Sequence, residues 1–482
     1  ADGGNLAGAT FTLTGAGGYS QRVISDQNGL VKFTDVPYGE YTLTETGAPA
    51  DYTIVAPVAV SLHDGTTNGT GSLTMHDMVD ALKTGTIQFM KNGAGGPLNG
   101  VTFTLYDASG TNPVTDGNGN AITSVSGQNG QAGLVQFTNI PFGDYQIRET
   151  GTPADYLPDT TAIPVGLHDG KVDVNNTLQL SAVTNTIKTG SVQFTKKAAD
   201  GSNLADATFT LTGANGYAQQ VTSDQNGLVK FTDVPYGEYT LTETGAPADY
   251  TIVAPVAVSL HDSTTDGTGS LTMHDMVDAR KTGTIRFTKW AQDGGALPGA
   301  TFTLTGGSVS KTATSDQNGV VKFTDVPYGD YVITETGVPA NYVAVSPISV
   351  SLHDGNTSIV NGTLDLGRVT DALKTGDIVI HDGGNPGQGT TIYDQNGNPI
   401  ASGVTDSNGN VVFHDMPYGS YVVKIGGQTV PVSLQAPTAN VELAANPYTG
   451  MTGGSLPPYA ELGVLALVLG GAVLVLKRRR KP

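Results

Sequence analysis

The sequence contains no cysteine, and only 14% of its 482 residues are charged. The absence of cysteine excludes disulfides, thiolate metal sites and thiol catalysis, so any covalent cross-link must use other chemistry. The net charge is -19, and lysine and arginine cluster only in the last few residues, which argues against nucleic-acid binding. No glycine-rich phosphate loop, catalytic triad or redox motif stands in a convincing context.

Internal repeats organise the chain. Residues 5–87 recur almost unchanged at 203–285, and diverged copies carry the same landmarks in the same order. The tripeptide KTG recurs at Lys83, Lys188, Lys281 and Lys374, and we take these positions as domain boundaries. The predicted domains are 1–83, 84–188, 189–281, 282–374 and a shorter, divergent 375–443.

Within each repeat, apolar residues alternate with threonine and other polar residues, as in TFTLT from Thr10 and YTLTE from Tyr41. An alternation with a period of two predicts half-buried β-strands. Asn-Gly pairs, such as Asn28-Gly29, separate these runs and favour tight hairpins. The 65 glycines and 19 tyrosines also suit turn-rich strands, so the predicted fold class is all-β, with tandem β-sandwich domains.

Polar residues of three kinds fall on the strand face that the alternation assigns to the core. In the segment GTIQFMK, Ile87, Phe89 and Lys91 share one face, and the corresponding segments place Lys196 and Lys289 in the same way. A glutamate shares the buried face of a later strand, and an aspartate or asparagine does so at the end of each repeat. The glutamates are Glu45, Glu149, Glu243 and Glu335, and the terminal residues are Asp80, Asn185, Asp278 and Asp371.

Burial drives lysine toward its neutral amine and carboxyl groups toward their protonated form. A neutral amine is a nucleophile, and a protonated glutamate can polarise a neighbouring carbonyl group for attack. We therefore predict intramolecular isopeptide bonds, against the alternatives of a buried or rim ion-pair network without covalent chemistry and of an exposed lysine. The predicted bonds are Lys91–Asn185 with Glu149, Lys196–Asp278 with Glu243, and Lys289–Asp371 with Glu335.

The first and fifth repeats differ from the others. The first contains Glu45 and Asp80, but the chain starts just after the position where its lysine would fall. Because the N-terminus also lacks an initiator methionine and a signal peptide, we expect the sequence to be a fragment. The fifth repeat has Asp382 at the lysine position and Ile425 at the glutamate position, so we predict that it has no such bond.

The glutamate segment reads YTLTETGAPADY from Tyr41 and again from Tyr239, YQIRETGTPADY from Tyr145 and YVITETGVPANY from Tyr331. With these motifs, residues 1–440 resemble the Cna B-type or SpaA-like domains, the prealbumin-like repeats of Gram-positive adhesins and pilins. The resemblance implies an Ig-like, prealbumin-like sandwich in which this glutamate promotes an isopeptide bond. The fifth repeat reads YVVKIGG at this point, so the resemblance extends only to its fold.

The C-terminal residues 444–482 have a three-part pattern of NPYTG, an apolar stretch and a basic tail at 477–481. We predict a transmembrane helix over 460–476, held at the cytoplasmic side by the basic tail; an ordinary single-pass anchor is the alternative. The pattern resembles a sortase sorting signal of the LPxTG type, which implies cleavage between Thr449 and Gly450 and transfer to peptidoglycan. The motif residues are Asn446, Pro447, Tyr448, Thr449 and Gly450, and asparagine in place of leucine leaves the sortase class open.

Histidine-aspartate pairs begin at His63, His168, His261 and His353, and we interpret them as turns because each repeat offers too few ligands for a metal. We therefore predict no metal and no cofactor.

The function predicted from these features is a structural or adhesive cell-wall protein of a Gram-positive bacterium, not an enzyme, with sortase and peptidoglycan as partners. A host or matrix ligand remains open. The alternatives are a sortase-polymerised pilin and the spacer of a surface enzyme whose catalytic domain lies upstream.

Overall fold

The predicted all-β fold class is confirmed in a computed structural model, which describes residues 3–443 and the backbone of 466–469 and 472–475. The described residues form strands, turns and two short 3₁₀ segments at Ala16–Gly18 and Ala214–Gly216. Threonine, valine and the aromatic residues that fill the strands favour extended backbone, and glycine and asparagine occupy the turns.

The chain divides into two compact units. The first contains Ala1–Lys197, Gly201–Gly245 and Ile252–Val277, and the second contains Ala198–Asp200, Ala246–Thr251 and Asp278–Pro482. The predicted domain boundaries stay predictions, and the repeats are identified below by their strands.

Strands β1 to β20 lie in the first unit, except that β14 ends one residue beyond it. The first repeat has β1 (Thr10–Gly15), β2 (Ser20–Ile24), β3 (Gly39–Gly47) and β4 (Val58–Leu62). The second has β5 (Thr84–Gly93), β6 (Gly96–Pro97), β7 (Thr102–Asp107), β8 (Thr123–Val125), β9 (Leu134–Pro141), β10 (Gly143–Gly151), β11 (Ile163–Leu167), β12 (Thr177–Gln179) and β13 (Val183–Thr184). The third has β14 (Thr189–Ala198), β15 (Thr208–Gly213), β16 (Ala218–Thr222), β17 (Leu228–Pro235), β18 (Gly237–Gly245), β19 (Val256–Leu260), β20 (Ser270–Thr272) and β21 (Met276–Asp278).

The fourth and fifth repeats lie in the second unit. The fourth has β22 (Thr282–Ala291), β23 (Thr301–Gly306), β24 (Val309–Thr314), β25 (Val320–Pro327), β26 (Gly329–Gly337), β27 (Tyr342–Val343), β28 (Ile348–Leu352), β29 (Ile359–Val360) and β30 (Thr363–Leu373). The fifth has β31 (Thr375–Asp382), β32 (Gly389–Tyr393), β33 (Pro399–Val404), β34 (Asn410–Pro417), β35 (Gly419–Ile425), β36 (Gln428–Leu434) and β37 (Thr438–Leu443).

All five repeats contain an antiparallel sheet with the same strand order. It is β2-β1-β3-β4 in the first repeat and β24-β23-β26-β28 in the fourth. The second to fifth repeats add a sheet built around their first strand, which pairs antiparallel on one side and parallel to a late strand on the other. The first strand of the repeat therefore lies directly beside one of its last strands.

The core of each repeat is a separate hydrophobic cluster of inward-facing strand residues. In three repeats, the phenylalanine two positions before the lysine packs edge-on against a phenylalanine of the other sheet. The ring centroids lie 5.0 Å apart for Phe89 and Phe103, and 4.9 Å apart for Phe287 and Phe302. These contacts pack the lysine-bearing strand against the sheet that carries the glutamate.

The sequence LVKFTDVP occurs at 30–37 and at 228–235 but forms a strand only at the second position. There, β17 pairs with β14 and Phe231 is fully buried. In the first repeat, no described residue occupies the place of β14, and Phe33 stays half-buried. A strand needs a hydrogen-bonding partner, so the tertiary neighbour decides the structure of this octapeptide.

The predicted transmembrane helix over 460–476 is not confirmed. Its described residues form two short antiparallel strands, β38 (Ala466–Leu469) and β39 (Ala472–Val475). Across the described part of the chain, no helix has the length and apolar character needed to span a bilayer. The sorting motif at 446–450, the rest of the apolar stretch and the basic tail lie outside the described residues.

Candidate functional site

The register of the first and last strands brings the predicted lysines and acceptors together. Lys91 on β5 lies opposite Val183 in a parallel pair, and Lys289 on β22 lies opposite Val369. The acceptor follows two residues later, at Asn185 and at Asp371. Because side chains alternate along a strand, a residue two positions further points to the same face, which here is the core.

The second repeat buries Lys91, Glu149 and Asn185 together. Lys91 Nζ donates to Asn185 Oδ1 at 2.5 Å and lies 3.5 Å from Glu149 Oε2. Asn185 Nδ2 donates to Glu149 Oε1 at 2.7 Å. The same glutamate oxygen accepts a hydrogen bond from the hydroxyl of Thr152. The amine, the amide and the carboxyl group are thus in mutual contact.

The environment of Lys91 favours its neutral form. Burial lowers the pKa of Lys91, and this effect outweighs the opposing influence of Glu149. The side chain of Lys91 is fully buried. A lysine amine with a lowered pKa is a better nucleophile near neutral pH than an exposed lysine.

The fourth repeat has the same arrangement with an aspartate as acceptor. Lys289, on β22, and Asp371, on β30, are fully buried and their side chains contact each other. Lys289 Nζ also lies 3.3 Å from Oε2 of Glu335, which comes from β26 in the other sheet. The backbone N–H of Val345 donates to the same oxygen at 3.0 Å.

The surroundings of Glu335 favour its protonated form. Burial raises its pKa, and the neighbouring Asp371 raises it further, whereas the N–H of Val345 and the charge of Lys289 oppose the shift. Glu335 Oε1 and Asp371 Oδ2 are both buried and have no hydrogen-bond partner among the described residues. A proton on one of these carboxyl groups would give it a hydrogen to donate to the other.

The third repeat places Lys196 3.3 Å from Glu243 Oε2, and the backbone N–H of Val253 donates to that oxygen at 2.9 Å. Lys196 is fully buried. The predicted acceptor Asp278 is also fully buried, at the end of β21.

The first and fifth repeats have the residues that the sequence predicts at these positions. In the first, Glu45 and Asp80 are buried, and Glu45 Oε2 accepts from the N–H of Val55 at 2.9 Å. Burial raises the pKa of Glu45, as it does that of Glu335, and Asp80 adds to the shift. In the fifth, Asp382 stands at the lysine position and Ile425 at the glutamate position, and both are buried. This site therefore has neither the amine nor the glutamate.

The backbone amides of Val55, Val253 and Val345 were not foreseen from the sequence. Each lies ten residues after the glutamate that it contacts, in the segment that follows the glutamate strand. Each fixes one oxygen of the carboxyl group and leaves the other directed into the core. A backbone N–H leaves no mark in the residue pattern, although the constant spacing of ten residues is a signal that could have been used.

No group of three or more histidine, cysteine, aspartate or glutamate residues in the described chain is arranged to hold a metal ion.

The family model of the SpaA prealbumin-like fold domain matches the chain four times, at residues 1–77, 85–178, 190–275 and 283–363. These matches cover more than half of the chain. This chain belongs to the SpaA family. Its SpaA domains stand in tandem, and the resemblance drawn from the glutamate segments is confirmed.

Two staphylococcal proteins and one amoebal protein are similar in sequence to this SpaA chain. Serine-aspartate repeat-containing protein D of Staphylococcus aureus is 26% identical over 68% of this chain and 28% of its own length. Serine-aspartate repeat-containing protein F of Staphylococcus epidermidis is 28% identical over 47% and 16%. Colossin-A of Dictyostelium discoideum is 26% identical over 68% and 3%. The SpaA chain thus spans under a third of the length of each of these relatives.

Among solved structures, the Bacillus anthracis TIE protein is 20% identical, with a TM-score of 0.40 over 72% of this chain and 68% of its own. A streptococcal ancillary pilin is 16% identical, with a TM-score of 0.24 over 61% of this chain and 99% of its own.

Proposed function

We propose that this SpaA chain is a covalently braced stalk of a cell-wall-anchored surface protein with a structural or adhesive role. The observation that carries the proposal is the buried contact of Lys289 with Asp371 and Glu335, together with its counterpart at Lys91. A buried lysine between carboxyl groups is costly as a mere ion pair, because desolvation can exceed the Coulombic gain. Conversion to an amide removes the charges.

The proposed reaction in the fourth repeat is a condensation. The neutral amine of Lys289 attacks Cγ of Asp371 while protonated Glu335 donates a hydrogen bond to the aspartate carbonyl oxygen. A new N–C bond forms, the C–O bond to the hydroxyl group breaks, and a proton from the amine completes the departing water. Glu335 relays that proton and is regenerated, so the net change is one amide formed and one water lost.

The second repeat follows the same course with an amide acceptor. The amine of Lys91 attacks Cγ of Asn185, and the side-chain nitrogen leaves as ammonia after receiving a proton through Glu149. The contact of Asn185 Nδ2 with Glu149 Oε1 at 2.7 Å lies on the path of that proton. We propose the same water-releasing step for Lys196 and Asp278 with Glu243.

Such a bond suits a mechanical role. In the fourth repeat it joins β22, where the chain enters, to β30, where the chain leaves. A pulling force on the chain then passes through the bond and not through the hydrogen bonds of the fold. Repeats braced in this way resist extension without disulfides, which this chain cannot form because it has no cysteine.

The proposal places the chain at the cell wall of a Gram-positive bacterium. The chain would first be a single-pass membrane precursor, anchored over 460–476. Sortase would then cleave between Thr449 and Gly450 and transfer the threonine carboxyl group to peptidoglycan. The support for this part is the sequence of the C-terminal segment. The chain acts as the substrate of that reaction and not as an enzyme.

Peptide mapping of the full chain tests the proposed chemistry. Trypsin should yield a branched peptide that joins the segment containing Lys289 to the one containing Asp371, lighter by one water than the sum of the two. Glu335→Gln should remove this branched peptide. The branched peptide of Lys91 and Asn185 should remain in the same variant, which makes the second repeat the internal control.

Separate, unmodified peptides in the wild-type chain would contradict the proposed bonds. A branched peptide that survives Glu335→Gln at full yield would contradict the role of the glutamate while leaving the bond itself in place.

A further inference from the structure

A polar cluster connects the first repeat to the second, and all its residues lie in the first compact unit. The side chain of Asp51 lies 2.7 Å from His168 Nδ1 and accepts the backbone N–H of Asp169 at 2.8 Å. In return, Asp169 accepts the backbone N–H of Asp51 at 2.8 Å. Lys83, at the boundary, lies 2.6 Å from the Asp169 carboxylate. We call this set a junction cluster.

The same arrangement recurs at the next two boundaries. Between the second and third repeats, His261 Nδ1 lies 2.7 Å from Asp155, and Lys188 lies 2.6 Å from Asp262. Between the third and fourth, the cluster lies in the second compact unit. The distances there are 2.5 Å between His353 and Asp249, 2.7 Å from the N–H of Asp354 to Asp249, and 2.6 Å between Lys281 and Asp354.

A second carboxylate faces each histidine from its own repeat. Nε2 of His168 lies 3.1 Å from Asp144, that of His261 lies 2.8 Å from Glu238, and that of His353 lies 3.2 Å from Asp330. With both ring nitrogens beside carboxylates, only the protonated imidazole can donate to both. The amine of Lys171 and the ring of His168 both lie beside Gly166.

The boundary before the fifth repeat has the backbone connection but not the cluster. The N–H of the boundary lysine donates to the preceding loop in all four cases, from Lys83 to Asp51 at 2.8 Å and from Lys374 to Asn341 at 2.8 Å. Asn341 occupies the place of the aspartate. The fifth repeat reads Leu-Gln-Ala at 434–436, where the others carry Leu-His-Asp. The boundary before the fifth repeat therefore lacks the side chains of a junction cluster.

We propose that the three junction clusters clamp successive repeats to one another, that each clamp loosens when its histidine loses a proton, and that the fifth repeat is joined without one. The His-Asp pairs then have a role between repeats in addition to their role as turns. This proposal is independent of the isopeptide bonds, which lie inside repeats.

The pH range of the clamp follows from the shifts of its groups. The neighbouring Asp51 raises the pKa of His168, and Asp249 raises the pKa of His353. The contact between successive repeats is therefore stabilised fully below about pH 6.5, and this stabilisation is lost as the pH rises through the raised pKa. Lys83 lowers the pKa of Asp169, so this contribution is present above about pH 3.8 and is lost at lower pH. The clamp should therefore be tightest between these limits.

Spin labels can measure the clamp directly because the chain has no cysteine of its own. Ser20→Cys and Thr123→Cys place one label on an exposed strand position in each of the first two repeats. Pulsed electron paramagnetic resonance on the full chain should give a narrow distance distribution at pH 5.5 and a broader one at pH 8.5. Loss of one partly exposed ion pair shifts a docking equilibrium by roughly two- to fivefold, which sets the expected rise in the undocked population.

His168→Gln should broaden the distribution at pH 5.5 as alkaline pH does in the unmodified chain. The matched control is His63→Gln, because His63 contacts Glu40 of its own repeat at 2.7 Å and should leave the distribution unchanged. Labels at Ser310→Cys and Ser402→Cys report on the junction without a cluster, whose distribution should not respond to pH. The proposal is overturned if the distance distribution between the labels at Ser20→Cys and Thr123→Cys has the same width at both pH values, or if His168→Gln leaves that width unchanged.

Discussion

Replacing Glu335 by glutamine should convert the fourth repeat from an inextensible element into an extensible one. The substitution keeps the shape of the side chain and a carbonyl oxygen for the N–H of Val345 but cannot supply the proton that activates Asp371. Lys289 and Asp371 are 82 residues apart in sequence and in contact in the fold. Without the bond, mechanical unfolding would release this segment, which at about 3.6 Å per residue is ~300 Å of chain.

The same bond should contribute about 4.5 kcal/mol to the free energy of unfolding of this repeat. The figure takes the loop-closure entropy known for disulfides and applies it to the 82-residue separation. The variant repeat should therefore unfold more readily than the unmodified one, on top of releasing more length. The length is the sharper observable, because it does not depend on the entropy model.

Single-molecule force spectroscopy of the full chain measures both quantities. Wild-type traces should show no unfolding step of ~300 Å from the fourth repeat, and Glu335→Gln traces should gain one such step. Glu40→Gln, at a glutamate whose side chain is 72% exposed, should behave as wild type. The first repeat has no lysine partner and should unfold in both chains, so the readout is one additional ~300 Å step in Glu335→Gln. Equal numbers of such steps in the two chains would refute the reasoning.

Three further outcomes follow from the geometry. Asn185→Asp should give a mature chain with the same mass as wild type, because ammonia loss from asparagine and water loss from aspartate leave the same amide. By intact mass spectrometry, a variant heavier by about one dalton would show that neither chain had reacted, and one heavier by about 18 Da would show that only the wild type had. Lys289→Met removes the amine and leaves Glu335, whose pKa is raised by burial above its ordinary 4.5. The stabilisation from its protonated form is present below pH 4.5 and lost at higher pH, so the calorimetric transition that this substitution moves to lower temperature should fall further from pH 4.5 to pH 7. A transition independent of pH would count against that assignment. Gly319→Ala should reduce the cross-linked fraction seen by peptide mapping, because a Cβ there would lie 2.3 Å from the carbonyl oxygen of Lys289 at a φ of +76°, whereas Gly299→Ala, with φ +83° and open space around it, should not; equal yields would contradict this.

Strand alternation was sufficient to predict that the three lysines are buried. Lys91, Lys196 and Lys289 lie on the inner face because each is two residues beyond an inward-facing phenylalanine, and a period of two transmits that orientation along the strand. The sequence could also propose Asn185 and Asp371 as partners, since both follow apolar residues at the same spacing.

The register that brings these partners into contact could not be read from alternation alone. A parallel pair of β22 and β30 could be shifted by two residues without changing which side chains face inward. The structure places Lys289 opposite Val369 in this pair. The octapeptide LVKFTDVP, a strand in one repeat and not in another, shows the same dependence on distant neighbours.

The junction clusters were missed for a related reason. His168 and Asp169 were interpreted as a turn, and Asp169 does begin one. Their partner Asp51 lies 118 residues earlier than Asp169, in a different repeat. Within its own repeat His168 faces Asp144, and only the arrangement of successive repeats reveals its contact with Asp51.

The intact mass of the full chain tests the central claim most directly. If the three bonds form, the chain should be lighter than its sequence by two waters and one ammonia, and the triple variant Glu149→Gln, Glu243→Gln and Glu335→Gln should recover the full mass. A wild-type chain at the full mass of its sequence would contradict the covalent account and leave the buried lysines as ion pairs.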